Sequence, residues 1–211
     1  MNPIKYEGAD LQFVDAFSAK PSEEKTGGYW SDAAATSLRA SIKKHYIKAQ
    51  NNRCCYCKQL VMQNNHDVWD AEHIIPRDTH PQFVFEPLNL AISCGPCNEA
   101  KGKKNVLVNA KRKTFPGKSA DYIIVHPHFD DYDEHILWFG LVPAPNGSKK
   151  GQKTIEMCEL LRFAAEYGSF NSDLLGSAFR EGLGKLMLTR DQTDAQAVSA
   201  ALDVHIKKLP G

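Results

Sequence analysis

Five of the six cysteines fall in two short clusters, CCYC at 54–57 and CGPC at 94–97. Each holds one Cys-x-x-Cys unit, Cys54 with Cys57 and Cys94 with Cys97, and two such knuckles let four thiolates meet a zinc ion tetrahedrally. In a reducing compartment, paired units of this kind read as metal ligands or redox sites more readily than as disulfides, and a thioredoxin-like redox site would need only one pair. A zinc ion closed by four thiolates holds a fold and does no chemistry. Cys55 is expected to point away from the metal and Cys158 to pack in a helical core. Chemistry must then lie elsewhere. Between the knuckles, DAEHIIPR sets Glu72 beside His73, Asn89 stands in LNL, and Asn98 follows the last cysteine of the pair. Adjacent strand side chains point to opposite faces unless the strand end is twisted or turned. An acid beside a histidine is nonetheless a sensible pair if one binds a cation and the other faces substrate. An imidazole with a pKa near neutrality takes a proton at cellular pH.

The stretches EHIIP, NL and CGPCNEAKG, spanning about residues 52–104, resemble the HNH endonucleases, the ββα-metal family, with flanking zinc knuckles. The resemblance implies a metal-dependent hydrolase acting on phosphodiester bonds of DNA. It makes His73 the general base, Asn89 the residue that orients the His73 loop, and Glu72 and Asn98 the ligands of a catalytic Mg²⁺ or Mn²⁺. Two departures matter: Asn98 stands where the family's name has its final His, and Glu72 where an Asp is usual. Both favour a hard, oxygen-liganding cation over zinc at that second site. The segments HYIKAQNNRCCYC and VHPHFDDYDEHILWFG resemble HNH proteins of bacterial anti-phage defence, which work with an ATPase partner and are also found with retrons. A protein partner is therefore expected beside DNA. The rival is a non-catalytic zinc-knuckle module that grips nucleic acid or a partner without cutting, although such a binder needs no general base beside an acid.

The elements that must hold these residues follow from pattern. Leu38, Ile42, Tyr46 and Ile47 recur at helical spacing after Ser31 or Asp32, predicting a capped helix from Ser31 to Gln50 with Arg39, Lys43, Lys44 and Lys48 on its other face. Residues 1–30 mix Gly, Pro and charge, predicting an irregular arm that packs by Phe13, Phe17, Tyr29 and Trp30. Beyond the knuckles, a β-element is expected at about Tyr122–Val125 and Ile136–Val142 around an acidic turn, with His126, His128 and His135 as packing or capping residues. Three helices follow, beginning near 154, 172 and 193. Leu174, Leu175, Phe179, Leu183 and Leu186 form an apolar stripe there that could dock a partner or pack on the chain's own core. The expected fold is α+β: an arm and helix over 1–51, a zinc-stapled ββα-metal core over 52–118, and a β-element with a helical annex over 119–211.

The chain of 211 residues can bury a real core, and its 26 basic and 25 acidic residues nearly cancel, so affinity for nucleic acid has to come from a local patch. The stretch 101–118 supplies one, with seven basic residues and no acid. Arg77, Lys101, Lys103, Lys104, Lys111 and Arg112 are the side chains expected to meet phosphates. No run reaches the roughly 18 apolar residues of a membrane span, and the N-terminus lacks a signal-peptide core, so a cytoplasmic protein without membrane partners is expected.

Overall fold

A computed structural model describes residues 1–61, 68–170, 181–182, 184–186, 188 and 191–206. The fold is α+β and falls into two compact units, Met1–Asp130 and Asp131–Gly211.

The first unit is built around a two-stranded antiparallel sheet of β1 (Trp69–His73) and β2 (Leu90–Cys94), with Trp69 opposite Cys94 and His73 opposite Leu90. Helix α3 (Gly95–Lys101) leaves β2 at once, started by Pro96 in its first turn, where a missing N–H costs nothing, and ended at Gly102 with φ +50°. The order is strand, strand, helix. Helix α2 (Thr36–Ala49) packs on both strands through Leu38, Ile42 and Tyr46, which its four-residue spacing puts on one buried face. It starts later than the sequence predicts. Asp32 caps a preceding 3₁₀ turn, Ala33–Ala35, its carboxylate accepting from the Ala34 amide at 2.8 Å. The helix stops where Asn51 and Asn52 take φ of 51° and 55°, a left-handed conformation that Asn tolerates. Gln50, at its end, uses its side-chain amide on β2: it donates to the Ile92 carbonyl at 2.9 Å and accepts from the Ile92 amide at 2.8 Å.

The N-terminal segment is more regular than expected. It contains helix α1 (Gly8–Ser18), whose Phe13 and Phe17 stand four residues apart and both meet Phe85 edge-on, at 5.6 and 5.0 Å between ring centroids. The aromatics expected to anchor the arm do so. Scattered Gly, Pro and charge around the segment hid a helix that rests on one pair of rings.

The HPHFD segment is a structural turn. Asp130 accepts from the His126 amide at 2.7 Å and from the Ser119 hydroxyl at 2.5 Å, His126 stacks on Phe129, and His128 Nε2 donates to the Leu90 carbonyl at 2.8 Å.

In the second unit β3 (Ile136–Phe139) pairs with β4 (Val142–Pro145), not with Tyr122–Val125 as the alternation implies. Gly140, at φ +59°, makes the tight reversal, and a short hairpin forms with less loss of chain entropy than a closure across the acidic turn. Tyr122 forms only an isolated bridge to Leu107. Helices α4 (Lys149–Met157) and α5 (Arg162–Phe170) replace the single helix expected from 154, because the backbone breaks at Glu159, φ +50°. A Cβ at Gly151 would overlap the His135 carbonyl oxygen, so only glycine lets α4 approach that closely. A last helix, Gln192–Ile206, packs on β3 and β4. Of the apolar stripe, Leu186 is buried, while Leu174, Leu175, Phe179 and Leu183 lie outside the described residues. No helix among the described residues is long and apolar enough to cross a membrane.

Candidate functional site

The antiparallel register carries Cys94 and Cys97, at the β2–α3 junction, against the loop that bears Cys54 and Cys57. The four Sγ atoms lie within 4.8 Å of one another, with Cys57 and Cys94 at 3.9 Å. Sulfurs bound tetrahedrally at about 2.3 Å would sit just under 4 Å apart, so the donor set fits a metal such as zinc. Burial pushes the Cys54 thiol up, but hydrogen bonds from the neighbouring thiols outweigh it and hold Cys54 well below its ordinary value. The same hydrogen bonds push the Cys57 and Cys97 thiols up. Cys55 stays outside the set. Burial pushes its thiol well up, and its backbone amide donates to the Ile92 carbonyl at 3.0 Å.

Beside this cluster the same strands border a cleft of about 700 Å³. Asp70, Glu72, His73, Asn98 and Lys101 line it from the sheet and α3, Trp30 from the segment before α2 and Arg39 from α2. The structure therefore brings Glu72, His73 and Asn98 to one place. Asn89 lies beneath it, fully buried. Its amide donates to the carbonyls of Ile75 and Phe83, both at 3.1 Å, and accepts from the Ile75 amide at 2.8 Å, clamping the loop that leaves His73.

His73 is buried, with Nε2 3.0 Å from the Val84 carbonyl and its ring meeting Trp30 edge-on at 4.5 Å. A carbonyl only accepts, so Nε2 carries the proton and Nδ1 the lone pair. Burial first, and then the Arg77 charge, lower its pKa to about 3 against the pull of the Val84 bond. This differs from the near-neutral value expected for a free imidazole, because a charged ring would be stripped of water there.

Glu72 is as deeply buried. One carboxylate oxygen accepts from Lys101 Nζ at 2.5 Å and from the Tyr56 hydroxyl at 2.8 Å. Burial raises its pKa while these two partners oppose the rise. Lys101 also donates to the His73 carbonyl at 2.8 Å. Expected to meet phosphate, Lys101 is only 2% exposed and spends its ammonium on the inner wall of the cleft. Lys101→Met is therefore expected to destabilise the chain by about 3 to 5 kcal/mol in urea unfolding, since it leaves a buried carboxylate without its cation. Adding Glu72→Gln should recover much of the loss. A single variant as stable as wild type would show that the pair does not support the fold.

Asn98 does not face Glu72 directly. Its amide donates to Asp70 Oδ2 at 3.0 Å. Asp70 is the residue the sequence reading passed over, although the signal was present: Asp70 and Glu72 are two apart on one strand and so share its face.

The remaining basic candidates spread outward. Arg77 donates to the Gly27 carbonyl at 2.8 Å and lines the cleft; Lys103 pairs with Asp78 at 2.5 Å on its rim. Lys104 and Lys111 are exposed, and Arg112 pairs with Asp121 at 2.9 Å.

Fold and centre together define an α+β protein with a four-cysteine, metal-type cluster set against a polar cleft. Among known proteins, the chain is similar to Septu protein PtuB of Bacillus mycoides (strain KBAB4), 27% identical over 141 residues, which cover 58% of this chain and 47% of that protein. Against Septu protein PtuB of Bacillus thuringiensis it is 28% identical over 155 residues, 64% of this chain and 56% of the other. The chain spans about half the length of the curated relatives it matches. No family model and no solved structure matches it.

Proposed function

We propose that the chain is a metal-dependent HNH-type endonuclease that hydrolyses phosphodiester bonds of DNA as an effector of bacterial anti-phage defence. The observation that carries this reading is the His73 imidazole, locked as one tautomer by Val84 and lining a cleft with Asp70, Glu72 and Asn98. A buried histidine that served packing alone would have no need of two carboxylates and an amide in the same cleft. The likeness to the Septu proteins supports the defence role, and with it a protein partner, an ATPase being the expected kind.

The donor set at the cleft consists of hard oxygens, from Asp70, Glu72 and Asn98, and so suits Mg²⁺ or Mn²⁺. Such a cation supplies charge stabilisation for the phosphoryl group and the leaving oxygen. Asn98 and Glu72 would hold it, with Asp70 completing the set. His73 Nδ1 takes the proton of the attacking water, while the Val84 carbonyl keeps the ring in the tautomer that can do so. Asn89 holds the following loop and thereby the position of the ring. Zinc in the four-cysteine cluster keeps β2 and α3 in register with the first knuckle. Arg77, Lys103, Lys104, Lys111 and Arg112 draw the nucleic-acid backbone to the cleft mouth.

Supercoiled plasmid incubated with the purified chain and Mg²⁺ tests the reading directly. Nicked or linear product is expected, and an intact plasmid, with and without an ATPase partner, leaves the binding-module reading in its place. The rate should carry a further signature. With a pKa of about 3, His73 stays unprotonated above that pH, so between pH 5.5 and 8 its ionisation should put no inflection in the profile. A fall in rate centred near 6.5 would mean that the base is hydrated and not buried.

A further inference from the structure

The ion pairs of the cleft cancel unevenly. Glu72 is met by Lys101 and Asp78 by Lys103, which leaves Asp70, beside Asn98, and Glu99 of α3 as the remaining acids of the lining. Two guanidiniums, Arg39 of α2 and Arg77 of the loop after β1, line the same cleft with Lys43, and both are held by the 27–32 segment. Every hydrogen-bond partner of these two is neutral. Arg39 donates to the carbonyls of Trp30 at 2.6 Å and Asp32 at 2.9 Å and to the Thr36 hydroxyl at 3.0 Å; Arg77 donates to the Gly27 carbonyl and, at 3.4 Å, to the Ser31 hydroxyl. Neither forms an ion pair with a carboxylate among the described residues. Neutral acceptors fix the direction of a guanidinium without discharging it, although the Arg77 charge is also felt by the neighbouring Asp78 carboxylate. Arg39 uses three of its five N–H donors this way, and Arg is the side chain whose planar fork matches a phosphate.

From this arrangement we infer that Arg39 and Arg77 form a phosphate clamp, seating a backbone phosphate of the nucleic-acid strand in the cleft that Asp70 and Asn98 also line. The inference rests on the functional reading above and adds a residue from the charged face of α2. The clamp gives the cleft a polarity. A cation belongs beside Asp70 and Asn98 and a phosphate beside the two arginines, in the cleft that His73 also lines. The cleft is of the size that takes a ligand of one or two nucleotides, so the clamp acts on a single strand locally, whether that strand is free or part of a duplex lying over the mouth.

The test is binding of a fluorescein-labelled 20-nucleotide DNA, single-stranded and as a duplex, to the full chain in buffer without added Mg²⁺ or Mn²⁺, titrated over salt concentration. Arg39→Gln and Arg77→Gln are each expected to weaken binding about tenfold at low salt, as loss of a charged hydrogen bond does. Each should also lower the log–log salt slope, and the double variant by about 0.7 on the single strand and about 0.9 on the duplex, the value for one phosphate contact. Arg39→Lys, which keeps the charge and loses the fork, should restore the slope with only part of the affinity. Because Arg39 also ties down the backbone at 30–36, thermal melting of each variant is read in parallel. An arginine that is only structural lowers the melting temperature and leaves the salt slope as in wild type, and that result overturns the clamp. If the wild-type chain binds neither oligonucleotide, the endonuclease reading itself falls. Wild-type binding with unchanged slopes in both glutamine variants removes the clamp alone.

Discussion

His73→Ala is expected to slow plasmid cleavage by about 10² to 10⁴, the share that a positioned general base contributes, while metal content and DNA binding stay as in wild type. The expectation follows from where the ring stands. Its Nε2 is committed to the Val84 carbonyl, so the ring atom left to take a proton is Nδ1. Glu72→Ala and Asn98→Ala should fail differently. They remove oxygen ligands of the proposed cation, so high Mg²⁺ or Mn²⁺ should return part of their activity, which no amount of metal does for His73→Ala. Glu72→Ala also strands the Lys101 ammonium, so its melting temperature should drop where that of Asn98→Ala does not. If His73→Ala cleaves at the wild-type rate, the imidazole is a packing residue and the HNH reading is wrong.

Loss of one cluster thiol should be more destructive still, and of a different kind. Cys54, Cys57, Cys94 and Cys97 have their sulfurs within 4.8 Å of one another, and three of the four are buried. Binding of zinc by such a set supplies folding free energy on the order of 10 kcal/mol, comparable with the whole stability of a small domain. Cys94→Ser is therefore expected to yield insoluble or metal-free chain, read by elemental analysis of the purified protein. Cys55→Ser should be mild, since Cys55 lies outside the ligand set. A soluble, folded, metal-free Cys94→Ser protein would show that the cluster is a group of buried thiols and nothing more.

The two knuckles were legible because metal ligation constrains both residue type and spacing, and both survive in the linear sequence. Helix α2 was legible for a similar reason: its buried face repeats with the helical period. Helix α1 was not, since a pair of phenylalanines meeting Phe85 is a tertiary fact that local composition does not encode. The β3–β4 hairpin was misassigned because alternation marks strands and says nothing of their partners; Gly140 was the missing clue. In the cleft, sequence pointed to Glu72, His73 and Asn98 but not to Asp70, and it could not tell that Lys101 turns inward. Both depend on the register of β1 against β2 and on the pitch of α3, which set direction and not identity.

Gln50 gives the small sheet a property its length would not predict. Two-stranded sheets expose unpaired backbone groups along both edges, an invitation to further strands from other molecules. At Ile92 the Gln50 amide occupies both the N–H and the C=O, and the Cys55 amide shares the same carbonyl. A side chain thus plays the part of a neighbouring strand at the middle of β2. Docking by strand exchange, and the fibrous association that the same geometry permits, are closed off at that point, so any chain approaching there meets side chains instead of a ladder to extend.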